Sequence, residues 1–257
     1  MGTQQQTSYK ILLIGEHCDD VYHYGLCDRL SPEAPVPVFV QHEKEVKAGM
    51  ASNVKLNLQA LGSKVTHYKN SETIEKHRLY DTKFNHHIIR FDIGETNDIA
   101  GLPIQDLPDE EFDAIVISDY NKGFITHDIA RHICTKYKGK RIFVDTKKTD
   151  LSCYENCIIK VNELEYEAIT KKPKSSRFII TLGSRGAKYN RKIFPTTQEI
   201  EVYDVCGAGD VFLATLVVKY LNTKNIQSSI CAANKAAAIS VTKTGAYVLQ
   251  REDIEVL

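Results

Sequence analysis

A chain of 257 residues holds one large domain, or one domain with a small appendage. Hydrophobic residues make up 42% and charged residues 26%, an ordinary globular balance that excludes general disorder. Lys plus Arg equals Asp plus Glu, 33 each, so no overall basic field exists to collect nucleic acid or an anionic membrane. Any anionic ligand must be held by local groups.

The polar start, Met1 to Ser8, lacks the basic-then-apolar form of a signal peptide, and residues 1–9 are expected to be a disordered tail. No apolar run approaches a membrane span. Seven Cys, an odd number without a C-x-x-C pair, read as reduced thiols of a cytoplasmic protein.

Ile11 to Ile14 is a short apolar run ending at Gly15, which predicts a buried central strand. Glu16, His17, Asp19 and Asp20 follow at once, where ligands collect in an open α/β sheet. Between Arg29 and Val40, Pro32, Pro35 and Pro37 predict an edge strand or extended flap. Ala51 to Leu61 predicts a helix with Val54, Leu58 and Leu61 on one face, Asn53 and Asn57 on another, and Gly62 as its stop. A strand at Val65 to Tyr68 comes next. Lys76 to Asp81 and Ile88 to Phe91 read as strands joined by a turn at Asn85, and Leu102 to Glu111 as a surface connection. Strands at Ala114 to Ile117, Ile142 to Val144, Ile158 to Ile159 and Phe178 to Ile180 alternate with helices around Ile125 to Tyr137 and after Asn162. This alternation predicts an α/β fold with a mostly parallel sheet and helices on both faces.

The sharpest segment is Asp204-Val205-Cys206-Gly207-Ala208-Gly209-Asp210, which opens a long helical pattern. A Gly-rich turn at a helix start offers free N–H groups and the positive end of the helix dipole, suited to a phosphoryl group in transit. Asp210 beside it can take a proton from an attacking hydroxyl. An ordinary loop with Asp as a helix cap fits the same residues.

Gly-Ala-Gly-Asp opening a late helix resembles the signature of the ribokinase/PfkB carbohydrate kinases. Other parts of that pattern occur in order. Gly49-Met50-Ala51-Ser52-Asn53 with Leu61-Gly62 resembles the N-terminal signature, with Met50 in place of the second Gly. Asn162-Glu163-Leu164-Glu165 matches N-x-x-E, and Thr181 to Ala187 looks like the nucleotide loop. Within the family, Arg29-Leu30-Ser31-Pro32-Glu33-Ala34-Pro35-Val36-Pro37-Val38 and Ser118-Asp119-Tyr120-Asn121-Lys122-Gly123 resemble the heptose 7-phosphate kinases of the ADP-heptose pathway.

The resemblance implies a ribokinase-like three-layer sandwich over residues 10–257, with a small β lid from about 22–48 and 75–92. It implies ATP and Mg²⁺ as cofactors and a sugar phosphate as substrate. Asp210 is then the base, with Gly207, Ala208 and Gly209 cradling the phosphoryl. Asp20, Gly49, Asn53 and Lys122 meet the sugar phosphate. Asp145, Lys147, Asn162, Thr181, Gly183, Gly186 and Asn234 lie near ATP, and Glu165 acts on Mg²⁺ through water. A homodimer through the lid is implied too. The chain departs from the pattern at Thr146 and Cys206, where the relatives carry Pro and Thr. A βα unit is absent between Tyr68 and Glu75, which also admits a non-catalytic sugar- or nucleotide-binding descendant, or a kinase for another sugar or a nucleoside.

Overall fold

The computed structural model describes residues 8–84, 86–96, 98–196 and 201–257. Positions 1–7 of the expected tail and Asn85 of the expected turn lie outside the described residues.

The chain opens with β1 (Lys10–Gly15), β2 (His17–Leu30), β3 (Pro37–Met50), α1 (Ala51–Ala60), β4 (Lys64–Tyr68), β5 (Glu75–Asp81) and β6 (His86–Ile93). It continues through β7 (Ala114–Asp119), α2 (His127–Lys136), β8 (Arg141–Thr146), β9 (Ile158–Asn162), α3 (Glu163–Glu167) and β10 (Arg177–Thr181). It closes with β11 (Ala187–Tyr189), β12 (Lys192–Phe194), α4 (Ala208–Thr223), α5 (Ile226–Ser240) and α6 (Arg251–Glu255).

The central sheet runs in the order β12-β11-β10-β9-β8-β7-β1-β4. Its pairs from β10 to β4 are parallel, and β11 and β12 add an antiparallel edge. Strands covered on both faces read as unbroken apolar runs, and the packing shows why. Ile11, Leu13, Ala114 and Val116 face one core with α1, α4 and α5, whereas Leu12, Ile14, Ile115 and Ile117 face a second core with α2. The result is the expected three-layer sandwich. Helix α4 is buried almost all round, from Asp210 to Leu221.

A second sheet has the order β3-β2-β5-β6. Glu16 alone separates β1 from β2, so the chain passes from the central sheet to the second without a loop. The second sheet therefore begins at His17. Its proline-bearing strand β3 is an edge, with Pro37 at the first position, where a missing N–H is tolerated. Strand β4 is the last of the central sheet, and residues 69–74 alone separate it from the lid strand β5.

Two local expectations change. The 102–111 connection is anchored rather than wholly superficial, because Leu102 and Leu107 are buried around a 3-10 turn at Ile104–Asp106. Strands β11 and β12 escape sequence periodicity because each is three residues long and carries a Lys.

Candidate active site

Parallel strands deliver their last residues to one edge, and register aligns them. Gly15 pairs with Ser118, Ser118 with Asp145, Asp145 with Lys160, and Asn162 with Thr181. The start of α4 meets this edge. Between them lies a cleft of about 860 Å³.

Of the residues expected near a nucleotide, Asp145, Lys147, Asn162, Thr181, Gly183, Gly186 and Asn234 all line the cleft. So do Gly207, Ala208, Gly209 and Asp210. Val205, Ala237 and Val241 give one side an apolar wall.

Asp210 lies in the first turn of α4 and is 5% exposed. Asn53 Nδ2 donates to its Oδ2 at 3.1 Å, and the Tyr120 hydroxyl donates to its Oδ1 at 3.2 Å. Asn57, one turn along α1, donates to Asn53 Oδ1 at 3.1 Å, which directs the Asn53 amide nitrogen toward Asp210. Burial pushes the Asp210 carboxyl up to about 6; the Asn53 hydrogen bond opposes this and the Asp145 carboxylate adds to it.

Gly207 caps α4 with φ +75, a left-handed conformation that disfavours a side chain. Some of the turn amides are already paired within the turn. Ala208 N–H already donates to Val205 O at 3.3 Å and Asp210 N–H to Gly207 O at 3.0 Å. Among the described residues the amides of Gly207 and Gly209 have no acceptor.

Lys160 is a site residue that the motif reading missed. Its Nζ donates to Asp145 Oδ2 at 2.7 Å, below Gly209. A lysine in the apolar run Ile158-Ile159-Lys160-Val161 was the available signal. Asp145 Oδ1 is buried with no partner among the described residues. Burial opposes a charged Lys147, but the Asp145 carboxylate and a hydrogen bond to Glu165 outweigh it and hold its ammonium above the usual range.

Glu165 sits outside the cleft lining. One oxygen is ion-paired with Lys147, and the other accepts the Asn162 N–H at 2.7 Å in a capping box. Asn234 donates to Phe194 O at 2.7 Å, tying α5 to β12.

The remaining predicted residues lie on the lid side. Asp20 is 4% exposed and its Oδ1 accepts from Arg78 at 2.6 Å. Arg78 also reaches Cys206 Sγ at 3.7 Å and stacks over Tyr22, so the lid is joined to the residue preceding Gly207. Neither Arg78 nor Tyr120 was singled out from the sequence. A Cβ on Gly49 would stand 2.5 Å from Asp20 Oδ2, which explains the glycine. Lys122 is ion-paired with Glu95 and does not line the cleft.

All seven cysteines are unbridged, and no metal cluster of His, Cys, Asp or Glu occurs among the described residues. Within those residues no helix is long and apolar enough to cross a membrane.

A cleft at the carboxyl ends of parallel strands, with a helix start on one side and a second, four-stranded sheet beside the first, defines a ribokinase-like fold. Phosphofructokinase-2 from Escherichia coli, solved with potassium, superposes with a TM-score of 0.74 at 13% identity, over 97% of this chain and 98% of its own. The Arabidopsis thaliana ribokinase solved with ribose and ATP gives 0.67 at 14%, over 97% and 98%. The family described as "pfkB family carbohydrate kinase" matches residues 128–252, a stretch that includes Asp145, Asn162 and the whole Gly207–Asp210 turn. Over residues 128–252, then, the chain is matched by the pfkB carbohydrate kinase family.

Among curated proteins, "Bifunctional protein HldE" of a Nitratiruptor species is 30% identical over 301 residues, covering 96% of this chain and 64% of the relative. The chain thus spans less than two thirds of that relative's length. The alignment is longer than the 257-residue chain, so the relative carries internal segments that this chain lacks.

Proposed function

We propose that the chain transfers the γ-phosphate of ATP to a hydroxyl of a sugar phosphate, with the anomeric oxygen of D-glycero-D-manno-heptose 7-phosphate as acceptor. One observation carries the reading. Asp210 is a buried carboxylate with both oxygens fixed, set in the first turn of a helix beside two glycine amides that have no acceptor among the described residues. Such a group takes the proton of an attacking alcohol, while the amides of Gly207 and Gly209 and the dipole of α4 receive the moving phosphoryl.

On this reading the cleft would hold ATP, with Val205, Ala237, Val241 and Asn234 beside the base and Thr181, Gly183, Gly186, Lys147 and Lys160 beside the phosphates, all of them residues that line it. The donor set suits Mg²⁺, which takes oxygen ligands and retains water. Asp145 Oδ1 is a buried oxygen without a partner among the described residues, Asn162 lines the same cleft, and Glu165 would contribute through water on leaving Lys147. When bound, the ion neutralises the ATP phosphates.

The acceptor lies under the lid, against Asp20, Gly49 and Asn53. An anionic acceptor is supported by Lys76, whose Nζ stands 5.7 Å from the Tyr120 ring centroid and which has no salt bridge among the described residues. Lys122 joins it on release from Glu95. The heptose assignment rests on the resemblance of the 29–38 and 118–123 strings. A homodimer through the lid is part of the same reading, since Ile89, Phe91 and Ile93 alternate along β6 at 53%, 44% and 49% exposure. A cytoplasmic location accords with seven free thiols.

A second reading, a binding protein that has lost turnover, draws support from the edge position of β4 and the longer relative. A coupled ADP assay over a panel of sugar phosphates, with heptose 7-phosphate included, separates the two. ATP consumption that the panel stimulates and Asp210→Asn abolishes supports the kinase. Saturable sugar binding with no turnover in either protein supports the second reading.

A further inference from the structure

We infer that Tyr120 is a positioning residue of this site: its hydroxyl holds Oδ1 of Asp210 so that the carboxylate keeps one orientation toward the incoming alcohol. The inference rests on the phosphotransfer reading above and adds a residue to it.

Three observations converge. First, the segment that carries Tyr120 is fastened from below. Glu16, fully buried, accepts the Tyr120 N–H at 2.8 Å and the Lys122 N–H at 3.1 Å. Asp119, 1% exposed, accepts from Thr146 Oγ1 at 2.7 Å and from the Tyr154 hydroxyl at 2.6 Å. Second, the ring itself lines the cleft, with Lys76 of β5 and Lys147 beyond β8 each 5.7 Å from its centroid. Third, the half-buried phenol hydroxyl has the carboxylate as its hydrogen-bond partner, at 3.2 Å.

The charge environment makes the hydroxyl measurable. Asp210 also faces Asn53 of α1, Cys18 of β2, Asp145 of β8, Lys147 and Lys160 of β9. Tyr120 faces Asp145, Cys18, Lys76 and Lys147. Among these, Tyr120 and Asn53 donate directly to Asp210. Each donation favours the ionised carboxylate, so removing one raises the proton affinity of Asp210.

Tyr120→Phe deletes the oxygen and keeps the ring under its two lysines. In pH profiles of kcat/KM with ATP and the sugar phosphate, the acid limb is expected to move up by about half to one pH unit. kcat is expected to fall about tenfold with the KM for ATP unchanged. A role in packing alone leaves the limb where it was. The second readout needs no turnover: the Asp210 carboxyl is titrated by ¹³C NMR in the ligand-free protein and assigned by its loss in Asp210→Asn. Difluorotyrosine at position 120, a stronger donor, is expected to move the titration downward, and it keeps the test open if the Phe variant fails to fold. An Asp210 titration that neither substitution moves overturns the inference. A titration that moves in a protein with no turnover on any sugar phosphate upholds the Tyr120 contact and refutes the kinase reading.

Discussion

Lys160 and Asp145 are register partners on adjacent parallel strands, and the ammonium of one sits 2.7 Å from Oδ2 of the other with side-chain exposures of 5% and 6%. Neither charge has water to fall back on. Lys160→Met leaves a buried carboxylate uncompensated, which costs about 3–5 kcal/mol when one partner of such a pair is removed. Urea unfolding is expected to show that loss. The KM for ATP is expected to rise in the same variant, because Lys160 borders Gly209 in the cleft.

The buried Asp210 carboxyl, at about 6, divides activity from stability. The carboxylate is the working form, so kcat/KM is expected to fall tenfold per unit below about pH 6 and to level off above it. Stability runs the other way. The folded value lies above the unfolded one, so the contribution is fully present below about pH 4 and lost as pH rises through about 6. Asp210→Asn is therefore expected to lose on the order of 10²- to 10⁴-fold in rate. It is expected to gain up to about 3 kcal/mol over the wild type at pH 7.5 and almost nothing at pH 4. Denaturant melts at the two pH values, paired with the rate assay, check both halves.

Gly207→Ala tests the turn. At φ +75 the new Cβ stands 2.6 Å from Asn53 Nδ2 and 3.2 Å from Ala246 Cα. Backbone strain costs on the order of 1–3 kcal/mol. Moving Asn53 off Asp210 is expected to lower kcat about tenfold or more, since a hydrogen bond to a charged group is lost. A variant with wild-type kcat and reduced stability contradicts this account.

On the lid side, Arg78→Met strands Asp20, because the two side chains are 7% and 5% exposed and 2.6 Å apart. The expected cost is about 3–5 kcal/mol. The KM for the sugar phosphate is expected to rise while that for ATP holds, since Arg78 and Asp20 do not line the nucleotide cleft. Steady-state kinetics with each substrate varied in turn separates these effects.

The order of elements, the buried strands and the helix start at Gly207 were legible in the chain itself, because periodicity and turn chemistry are local properties of neighbouring residues. Asp210 could be picked out the same way, as a carboxylate in the first turn of a helix, whereas Asp145 and Asn162 were singled out by the family resemblance. What tertiary structure decided is which of these groups are already satisfied. Tyr120 meets Asp210 across 90 positions and Arg78 meets Asp20 across 58, while Glu165 turns to Lys147 and Lys122 to Glu95. Such pairings depend on strand register and the placement of the second sheet, and no local pattern in the sequence encodes them.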